Sequence, residues 1–227
     1  MILLTGASGG IGKAIQHHLQ GLDKVVGLYN NTPPETAPNE KLSFAQVDVG
    51  NPESIRNFVK EWENKLSRIT LIHSAAASID GLAAQYAESD WDRVMEVNLK
   101  GNFLLTQALL PLMIKERWGR IIHITSVVST EGRPGTVAYS ASKSGLIGMS
   151  RVLAKEYGRF NITSNLLVLG YFNVGLIETL NDKVRQEVIQ QIPSKQLGEV
   201  SNIANAVDFL IKSEYVNGAA INIDGGM

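Results

Sequence analysis

The sequence predicts an α/β protein with a parallel β-sheet that helices cover on both faces. Short apolar runs alternate with longer segments of helical periodicity along the chain of 227 residues. The runs are apolar throughout, as in strands that are buried on both faces of a sheet. Because no linker, repeat or change of composition marks a boundary, we expect a single domain, residues 1–227, with a doubly wound sheet of about seven strands.

The first predicted strand, residues 2–4, leads into a glycine-rich turn and then into a helix, residues 13–19. Gly6, Gly10 and Gly12 lie at this junction. Glycines let a backbone approach a pyrophosphate closely, and a helix N-terminus presents N–H groups and the positive end of its dipole. The spacing Gly-x-x-x-Gly-x-Gly differs from the commonest dinucleotide fingerprint. We interpret the turn as a dinucleotide site, with an ordinary tight turn as the alternative.

The second strand, residues 24–29, ends where a dinucleotide-binding fold faces the adenosine ribose. An acidic residue there would bind the 2′-hydroxyl of NAD. Tyr29, Asn30 and Asn31 occupy these positions instead, and no arginine is present to bind a 2′-phosphate. Because the missing carboxylate removes a repulsion against NADP, the sequence favours NADP(H) over NAD(H) and places Asn30 in the cofactor site.

The third and fourth strands, residues 42–47 and 69–73, flank a helix of residues 52–66. Asn51 is the predicted N-cap of that helix, and Pro52 occupies its first position, where a missing N–H costs nothing. This arrangement of strand, capped helix and strand is the repeating unit of a parallel sheet.

A long helical segment, residues 90–115, follows the fourth strand. Ser89 and Asp92 have the spacing of a capping box at its start. Pro111 lies inside the segment and predicts a bend there, because proline cannot donate the helical hydrogen bond.

The fifth strand, residues 120–125, ends at Ser126, and the helix of residues 139–157 begins with Tyr139 and Lys143. Residues four positions apart share one face of a helix. A neighbouring ammonium would lower the pKa of the Tyr139 phenol, which could then exchange a proton with an alcohol near neutral pH. Taken alone, the pair also fits an exposed helix with a solvated lysine.

The sixth strand, residues 162–168, is followed by a segment, residues 171–191, that has no strand signal. The segment ends with a helix of residues 184–191. The segment as a whole mixes apolar and polar residues, which predicts a mobile lid over the substrate. A further helix, residues 201–211, and a last strand, residues 219–223, complete the alternating pattern.

Polar and glycine positions follow the predicted strands where each strand ends. Ligands of open α/β sheets bind beyond the carboxyl ends of the strands, so these positions should line one cleft. They are the glycine turn, Asn30, Asp48, Ser74, Ser126 and Gly170.

Composition and charge argue against several other classes of function. The formal net charge of −1 gives no general attraction to nucleic acid or to an anionic membrane. Cysteine is absent, which excludes disulfides and thiolate nucleophiles, and no His/Asp/Glu cluster has metal-ligand spacing. Because the apolar runs are too short to span a membrane and the N-terminus does not resemble a signal peptide, we expect a cytoplasmic protein.

The sequence contains four histidines, and we expect none of them to be catalytic. His17 and His18 fall on the first helix and should face solvent. His73 ends the fourth strand and His123 lies within the fifth, so both are predicted to be hydrogen-bonded structural residues.

Taken together, these residues resemble the short-chain dehydrogenase/reductase family over nearly the whole chain, which implies a Rossmann fold. Ser126 precedes Tyr139 by 13 positions, the usual interval in that family. Leu197-Gly198-Glu199 and the ending Ile223-Asp224-Gly225-Gly226-Met227 are most similar to bacterial 3-oxoacyl-acyl-carrier-protein reductases. The matching motifs are Thr5-Gly6-Ala7-Ser8-Gly9-Gly10-Ile11-Gly12, Asp48-Val49, Val97-Asn98-Leu99, Ser126 and Tyr139-x-x-x-Lys143.

The resemblance implies a role for each matching residue. Tyr139 would be the general acid in ketone reduction and the base in alcohol oxidation, while Ser126 would hydrogen-bond the substrate oxygen. Lys143 would lower the Tyr139 pKa and bind the nicotinamide ribose, and Asn98 would hold the helix and a water that links Lys143 to solvent. The predicted cofactor site comprises Gly6, Ser8, Gly10, Ile11, Gly12, Asn30, Asp48, Val49, Ser74, Ala75, Ala76, Tyr139, Lys143 and Gly170.

Three stretches depart from the family pattern around the cofactor. The family usually has Asn-Asn-Ala-Gly after the fourth strand, where this chain has His73-Ser74-Ala75-Ala76. Leu169-Gly170 stands where Pro-Gly is usual, and Val174 replaces a threonine whose hydroxyl helps to hold the nicotinamide carboxamide or phosphate. The basic residue frequent in NADP enzymes is Gly9 here. We expect these changes to alter cofactor affinity and preference.

Two functions remain open at this level. The first is an NAD(P)(H)-dependent oxidoreductase that interconverts a ketone and a secondary alcohol, with a 3-oxoacyl thioester as a candidate substrate. The second is a non-catalytic NAD(P)-binding sensor or partner protein on the same fold. The intact Asn98, Ser126, Tyr139 and Lys143 favour the enzyme. The resemblance also implies a homotetramer or homodimer that pairs the helices of residues 90–115 and 139–157.

Overall fold

A seven-stranded parallel sheet runs through the centre of the computed structural model, which describes residues 1–175, 177 and 181–227. The strands are β1 (Ile2–Thr5), β2 (Val25–Tyr29), β3 (Leu42–Gln46), β4 (Thr70–His73), β5 (Gly119–Ser126), β6 (Ile162–Leu169) and β7 (Ala220–Ile223). Their order in the sheet is β3-β2-β1-β4-β5-β6-β7, and every neighbouring pair is parallel. Strands β1 to β3 are added towards one edge of the sheet and β4 to β7 towards the other, so the topological switch point lies between β1 and β4, as in a doubly wound Rossmann fold. The predicted fold class is confirmed, and each strand end falls within one residue of its prediction.

Helices cover both faces of the sheet, because the strand side chains alternate between two cores. In β1, Leu3 enters one core, with residues of α2 and α4, and Ile2 and Leu4 enter the other, with residues of α1 and α8. The helices are α1 (Gly10–Leu19), α2 (Pro52–Trp62), α3 (Glu88–Met95), α4 (Gly101–Glu116), α5 (Val128–Glu131), α6 (Val137–Tyr157), α7 (Asp182–Gln191) and α8 (Val200–Lys212).

The start of α2 follows the predicted cap. The Asn51 side chain accepts hydrogen bonds from the N–H groups of Glu53 and Ser54, at 2.9 and 3.3 Å, and Pro52 is the first helical residue. The helix ends at Trp62, earlier than predicted. A tight turn follows, in which the N–H of Lys65 donates to the Trp62 carbonyl at 2.8 Å.

The long segment after β4 is helical over residues 88–116 but is divided by a π-helical turn, Glu96–Lys100. The predicted capping box at Ser89 is wrong. The N–H groups of Asp90 and Trp91 both donate to the Ala87 carbonyl, so the helix has already begun before Ser89. The α-helical pattern is interrupted at the π turn, whereas Pro111 lies inside α4.

Two further differences concern the neighbourhood of the site. A short helix, α5, lies between β5 and α6 and was not predicted, and α6 begins two residues before Tyr139. Of the predicted lid, residues 171–175 and 177 and the helix α7 are described, but residues 176 and 178–180 lie outside the described part. No helix in the described part of the chain is long and apolar enough to cross a membrane.

Candidate active site

The ends of β1 and β4 are tied together at the middle of the sheet edge. Thr5 Oγ1 accepts hydrogen bonds from the N–H groups of Ser74 and Ala75, both at 3.0 Å. Gly6 adopts a φ of +70°, and a Cβ on it would lie 2.8 Å from Ala75 Cα. Only glycine allows this approach at this backbone angle. The predicted cofactor positions Gly6, Ser74 and Ala75 therefore meet, and Ala76 follows them at the surface.

The glycine turn itself forms the first turn of α1. The Gly9 N–H donates to the Gly6 carbonyl at 2.9 Å, and the Lys13 N–H donates to the Gly9 carbonyl at 2.7 Å. A Cβ on Gly12 would lie 2.2 Å from the Gly6 oxygen, so the turn can close only with glycine there. The first turn of α1 contains no acidic residue and its cap position is a glycine. This helix end is suited to an anion such as a diphosphate.

The residues around the turn fit a dinucleotide. Ser8 and Ile11 are half-buried beside it, and their contact with a diphosphate stays a prediction. Beside the turn, after β4, the Ser74 hydroxyl oxygen is buried and has no hydrogen-bond partner among residues 1–175, 177 and 181–227. A bound ligand with polar groups would satisfy this hydroxyl, because buried polar groups normally find partners.

Three predicted cofactor residues follow the neighbouring strands β2 and β3. Asp48 Oδ1 accepts from the Gly50 N–H at 2.9 Å, and the Asp48 N–H donates to Ser54 Oγ at 3.0 Å. Val49 is buried, and its carbonyl lies close to Gly101 at the start of α4. The Asn30 carbonyl at the end of β2 accepts from the Gln46 side chain at 2.9 Å.

Gly170 lies at the opposite end of the cleft, after β6. Its N–H donates to the Ile223 carbonyl at 3.0 Å, and a Cβ on it would lie 2.7 Å from Asp224 Cα. The chain after it returns over the glycine turn, since a Cβ on Gly10 would lie 2.6 Å from Gly175 Cα. Val174 is half-buried in this stretch.

Lys143 fastens α6 to the sheet. It is 2% exposed, and its ammonium donates to the Ile124 carbonyl at 2.8 Å, two residues before Ser126. The ammonium lies 5.6 Å from the centre of the Tyr139 ring, one helical turn away. Ser126 ends β5, where its Oγ accepts from the Val128 N–H at 3.5 Å. The predicted serine, tyrosine and lysine therefore share one corner of the cleft.

Burial sets the pKa values of this pair. It lowers the pKa of Lys143 to about 8 and raises the pKa of Tyr139 to about 12. The predicted net lowering of the Tyr139 pKa is wrong for this arrangement. The Lys143 ammonium is directed to the Ile124 carbonyl, and removal of the phenol from water dominates its ionisation. The phenol is consequently held in its protonated form.

Asn98 lies in the π turn and is fully buried. Its Oδ1 accepts from the Ala77 N–H at 2.7 Å, and its Nδ2 donates to the Ala77 carbonyl at 2.8 Å. The same Nδ2 donates to Ser142 Oγ at 3.0 Å, beside Lys143 on α6. Asn98 thus joins the loop after β4 to the helix that carries Tyr139. Ser142 was not identified from the sequence, since nothing in the pattern distinguishes it from its neighbouring serines.

Behind these residues, His73 and His123 stack in parallel on adjacent strands. Their ring centres are 5.0 Å apart, and the rings are inclined by 2°. His73 Nε2 is 2.8 Å from Thr106 Oγ1. Burial lowers the pKa of both imidazoles, that of His123 to about 3, and the nearby Lys143 charge adds to the effect. The prediction that both are hydrogen-bonded structural residues is confirmed, and His17 and His18 are exposed as expected.

At the mouth of the cleft, Arg133 in the loop before α6 donates to the Tyr171 hydroxyl at 3.3 Å. This contact links the loop after α5 to the start of the predicted lid. The described residues contain no group of three or more His, Cys, Asp or Glu side chains that could hold a metal ion.

A glycine turn at the N-terminus of a Rossmann helix, together with a half-buried tyrosine and a buried lysine on α6, is typical of a dinucleotide-dependent oxidoreductase. Comparison with known proteins identifies the family. The model of the short chain dehydrogenase family matches residues 1–185. The chain therefore belongs to the short-chain dehydrogenase/reductase family, and it is an NAD(P)-dependent oxidoreductase that acts on an alcohol or carbonyl group.

Individual relatives extend over nearly the whole chain. Nodulation protein G of Rhizobium sp. (strain N33) is 37% identical over 233 residues, which cover 99% of this chain and 95% of the relative. The 3-oxoacyl-[acyl-carrier-protein] reductase FabG of Staphylococcus epidermidis is 34% identical over 237 residues, 99% of this chain and 97% of its own. The FabG protein of Rickettsia bellii is 37% identical over 232 residues, which cover 99% of this chain and 95% of the relative.

Proposed function

We propose that the chain interconverts a ketone and a secondary alcohol and that Tyr139 is its general acid and base. The observation that carries this proposal is the hydrogen bond that joins Lys143 of α6 to β5. Lys143 donates to the Ile124 carbonyl at 2.8 Å, which holds the Tyr139–Lys143 turn of α6 beside Ser126. A proton donor, a cation and a hydroxyl therefore stand together next to the dinucleotide site.

A bound nicotinamide would supply the hydride chemistry, and the protein residues would stabilise the charge that develops on the substrate oxygen. The Ser126 hydroxyl donates to the carbonyl oxygen and orients it. The Tyr139 hydroxyl, protonated because burial raises its pKa, donates its proton to that oxygen as negative charge develops. The Lys143 ammonium then stabilises the phenolate, and its effect is strengthened because the pair is removed from water.

We assign the cofactor residues to three parts of the dinucleotide. Gly6, Ser8, Gly10, Ile11 and Gly12 would hold the diphosphate. Asp48 and Val49 would hold the adenine, and Ser74, Ala75, Ala76 and Gly170 would hold the nicotinamide half, together with Tyr139 and Lys143. NADP(H) is favoured over NAD(H), because the end of β2 carries Asn30 rather than a carboxylate that would repel a 2′-phosphate.

The substrate class we propose is a 3-oxoacyl thioester. The support is the similarity over 99% of the chain to proteins named 3-oxoacyl-[acyl-carrier-protein] reductase. The apolar residues that follow β6 are compatible with an acyl chain. Phe172 and Ile177 are both buried there, and the predicted apolar lid residues at 176 and 180 lie outside the described residues.

We further propose that residues 1–227 act as one domain that assembles into a homotetramer or homodimer. Phe103 on α4 and Val152 on α6 expose 45% and 52% of their surfaces, so these two helices present apolar side chains for pairing. Light scattering that shows a monomer at working concentration would contradict this assembly.

The test of the proposed function is Tyr139→Phe, assayed by NADPH oxidation with simple ketones and 3-oxoacyl thioesters. We expect turnover to fall by about 10²–10⁴-fold, the usual contribution of a general acid. Binding of NADPH, followed by its fluorescence, should be retained. Normal turnover in this variant would show that another residue transfers the proton. Tight cofactor binding by the unaltered protein, with no turnover on any substrate, would favour a non-catalytic sensor instead.

A further inference from the structure

We propose that Asn102 and His123 are positioning residues of the active site, which hold Asn98 through a directional chain of buried hydrogen bonds. The inference rests on the proposed function only in assigning a catalytic consequence to Asn98. Five residues form the chain, one each from α6, β6, β5, α4 and the π turn. In order they are Ser150, Ser164, His123, Asn102 and Asn98.

Each link of the chain is within hydrogen-bond distance. Ser150 Oγ and Ser164 Oγ are 2.9 Å apart, and Ser164 Oγ is 3.3 Å from His123 Nε2. His123 Nδ1 is 3.3 Å from Asn102 Oδ1, and Asn102 Nδ2 is 2.9 Å from the Asn98 carbonyl oxygen. All five residues are at most 3% exposed, so water does not compete for these groups.

The donor and acceptor capacities of these groups fix the direction of every hydrogen bond in the chain. The Asn98 carbonyl can only accept, so the Asn102 amide nitrogen must face it and Asn102 Oδ1 must face His123. Because that oxygen also only accepts, His123 carries its proton on Nδ1. Burial keeps the imidazole neutral, so Nε2 is an acceptor and the Ser164 hydroxyl donates to it. Ser164 then accepts from Ser150.

The chain ends at the residue that joins the two parts of the catalytic corner. The Asn98 side chain bonds both backbone groups of Ala77 and the hydroxyl of Ser142. Ser142 Oγ in turn donates to the Tyr139 carbonyl at 2.8 Å. Loss of the Asn102 side chain would leave the His123 N–H unpaired in the core and would remove the side-chain donor from the Asn98 carbonyl. We expect the π turn to shift in response, and Asn98 and α6 to shift with it.

A matched control lies one turn further along α4. Thr106 is 1% exposed, and its hydroxyl is within 2.8 Å of His73 Nε2, the ring that stacks on His123. Its hydrogen bond belongs to the same polar layer but does not lead to Asn98. Thr106→Val and Asn102→Leu therefore each remove one buried hydrogen bond from α4 to a histidine, and only Asn102→Leu breaks the chain.

The test compares these two variants by amide hydrogen exchange and by kinetics. In Asn102→Leu we expect the Ala77 amide, which donates to Asn98, to exchange at least about tenfold faster than in Thr106→Val. We expect kcat to fall by about 10–100-fold with KM within about threefold, as for a misplaced catalytic group. Thr106→Val should keep the kcat of the unaltered protein even if its melting temperature falls by as much as that of Asn102→Leu.

A second variant covers the case in which Asn102→Leu does not fold. His123→Phe keeps a ring against His73 and removes the Nδ1–H, while Asn102 can still donate to Asn98. It should change both readouts in the same direction but less. Unchanged Ala77 exchange in both chain variants, or equal loss of kcat in Asn102→Leu and Thr106→Val, would overturn the proposal. Because hydrogen exchange needs no substrate, the outcome stands even if the proposed ketone activity is wrong.

Discussion

In the catalytic half of the cleft, side chains make the hydrogen bonds that hold the site, whereas in the cofactor half the backbone shapes it. Lys143 and Asn98 are buried and use their polar groups on the Ile124 carbonyl, on Ala77 and on Ser142. On the other side, Gly6 and Gly12 fit because they lack a Cβ.

This difference indicates which property each half controls. The catalytic half is ordered by hydrogen bonds among its own residues, which would fix the geometry for the proposed proton transfer. In the cofactor half, glycines and a helix N-terminus leave room for the proposed diphosphate, which would itself supply the acceptors for the free N–H groups. Substitutions in the first half should therefore alter kcat, and substitutions in the second should alter cofactor affinity and preference.

After Tyr139→Phe, the largest effect is expected from Ser126→Ala in the catalytic half. Loss of the hydroxyl that orients the substrate oxygen should lower kcat by about 10²–10³-fold, as for the loss of one oxyanion donor. NADPH affinity and melting temperature should change little, because Ser126 Oγ accepts only one bond, of 3.5 Å, in the described structure. Ser129→Ala is the control, since that buried hydroxyl has no partner among the described residues. A loss of NADPH affinity equal to the loss of kcat would contradict the separation of the two halves.

The pH dependence of ketone reduction tests the same half. Burial lowers the pKa of Lys143 to about 8, so the ammonium is lost as the pH rises through that value, while Tyr139 near 12 stays protonated. We expect kcat/KM for reduction to fall above an apparent pKa near 8 that belongs to the pair, by up to about tenfold per pH unit. Lys143→Arg keeps its charge and should move the fall to higher pH. A flat profile from pH 6 to pH 10 would show that this charge is not needed.

The elements of the fold were predictable because their signals are local. Asn51 caps α2 as expected, since an N-cap needs only its own side chain and the next two N–H groups. At Ser89 the equivalent signal failed, because the chain before it already supplies the Ala87 carbonyl to the first turn. A capping pattern shows that a helix start is nearby, but the exact residue depends on how the preceding loop is held.

The sequence predicted which residues of the candidate site would lie together, but it did not predict their pKa values. The spacing of Ser126, Tyr139 and Lys143 placed them in one corner, but the direction of the Tyr139 pKa depends on burial by the whole fold. Likewise, nothing local connects Asn102 with His123, 21 positions later. Their contact arises only when α4 packs against β5, which sequence periodicity cannot specify at the level of single atoms.

A smaller effect is expected from Asn30→Asp in the cofactor half. A carboxylate at the end of β2 should bind the ribose 2′-hydroxyl of NADH and repel the 2′-phosphate of NADPH. The ratio of kcat/KM for NADPH to that for NADH should fall by about 10–100-fold, through KM rather than kcat. Asn30→Leu removes the amide without adding a charge, so it separates the effect of the lost amide from the effect of the added carboxylate. If the ratio is unchanged in Asn30→Asp, the adenosine ribose does not lie at the end of β2.

The smallest effect is expected from Val174→Thr, which restores the hydroxyl that the family usually has after β6. Val174 is half-buried beside Gly175, whose backbone lies against Gly10 in the glycine turn. A threonine of the same shape could donate one hydrogen bond to the nicotinamide end of the cofactor, worth about 0.5–1.5 kcal/mol, or roughly 2–10-fold in affinity. Isothermal titration with NADPH should detect this gain, while Val174→Ala, which has no hydroxyl, should not show it. Because the change lies in the cofactor half, kcat at saturating NADPH should stay the same. A change in kcat without a change in affinity would mean that the segment after β6 acts on the catalytic half instead.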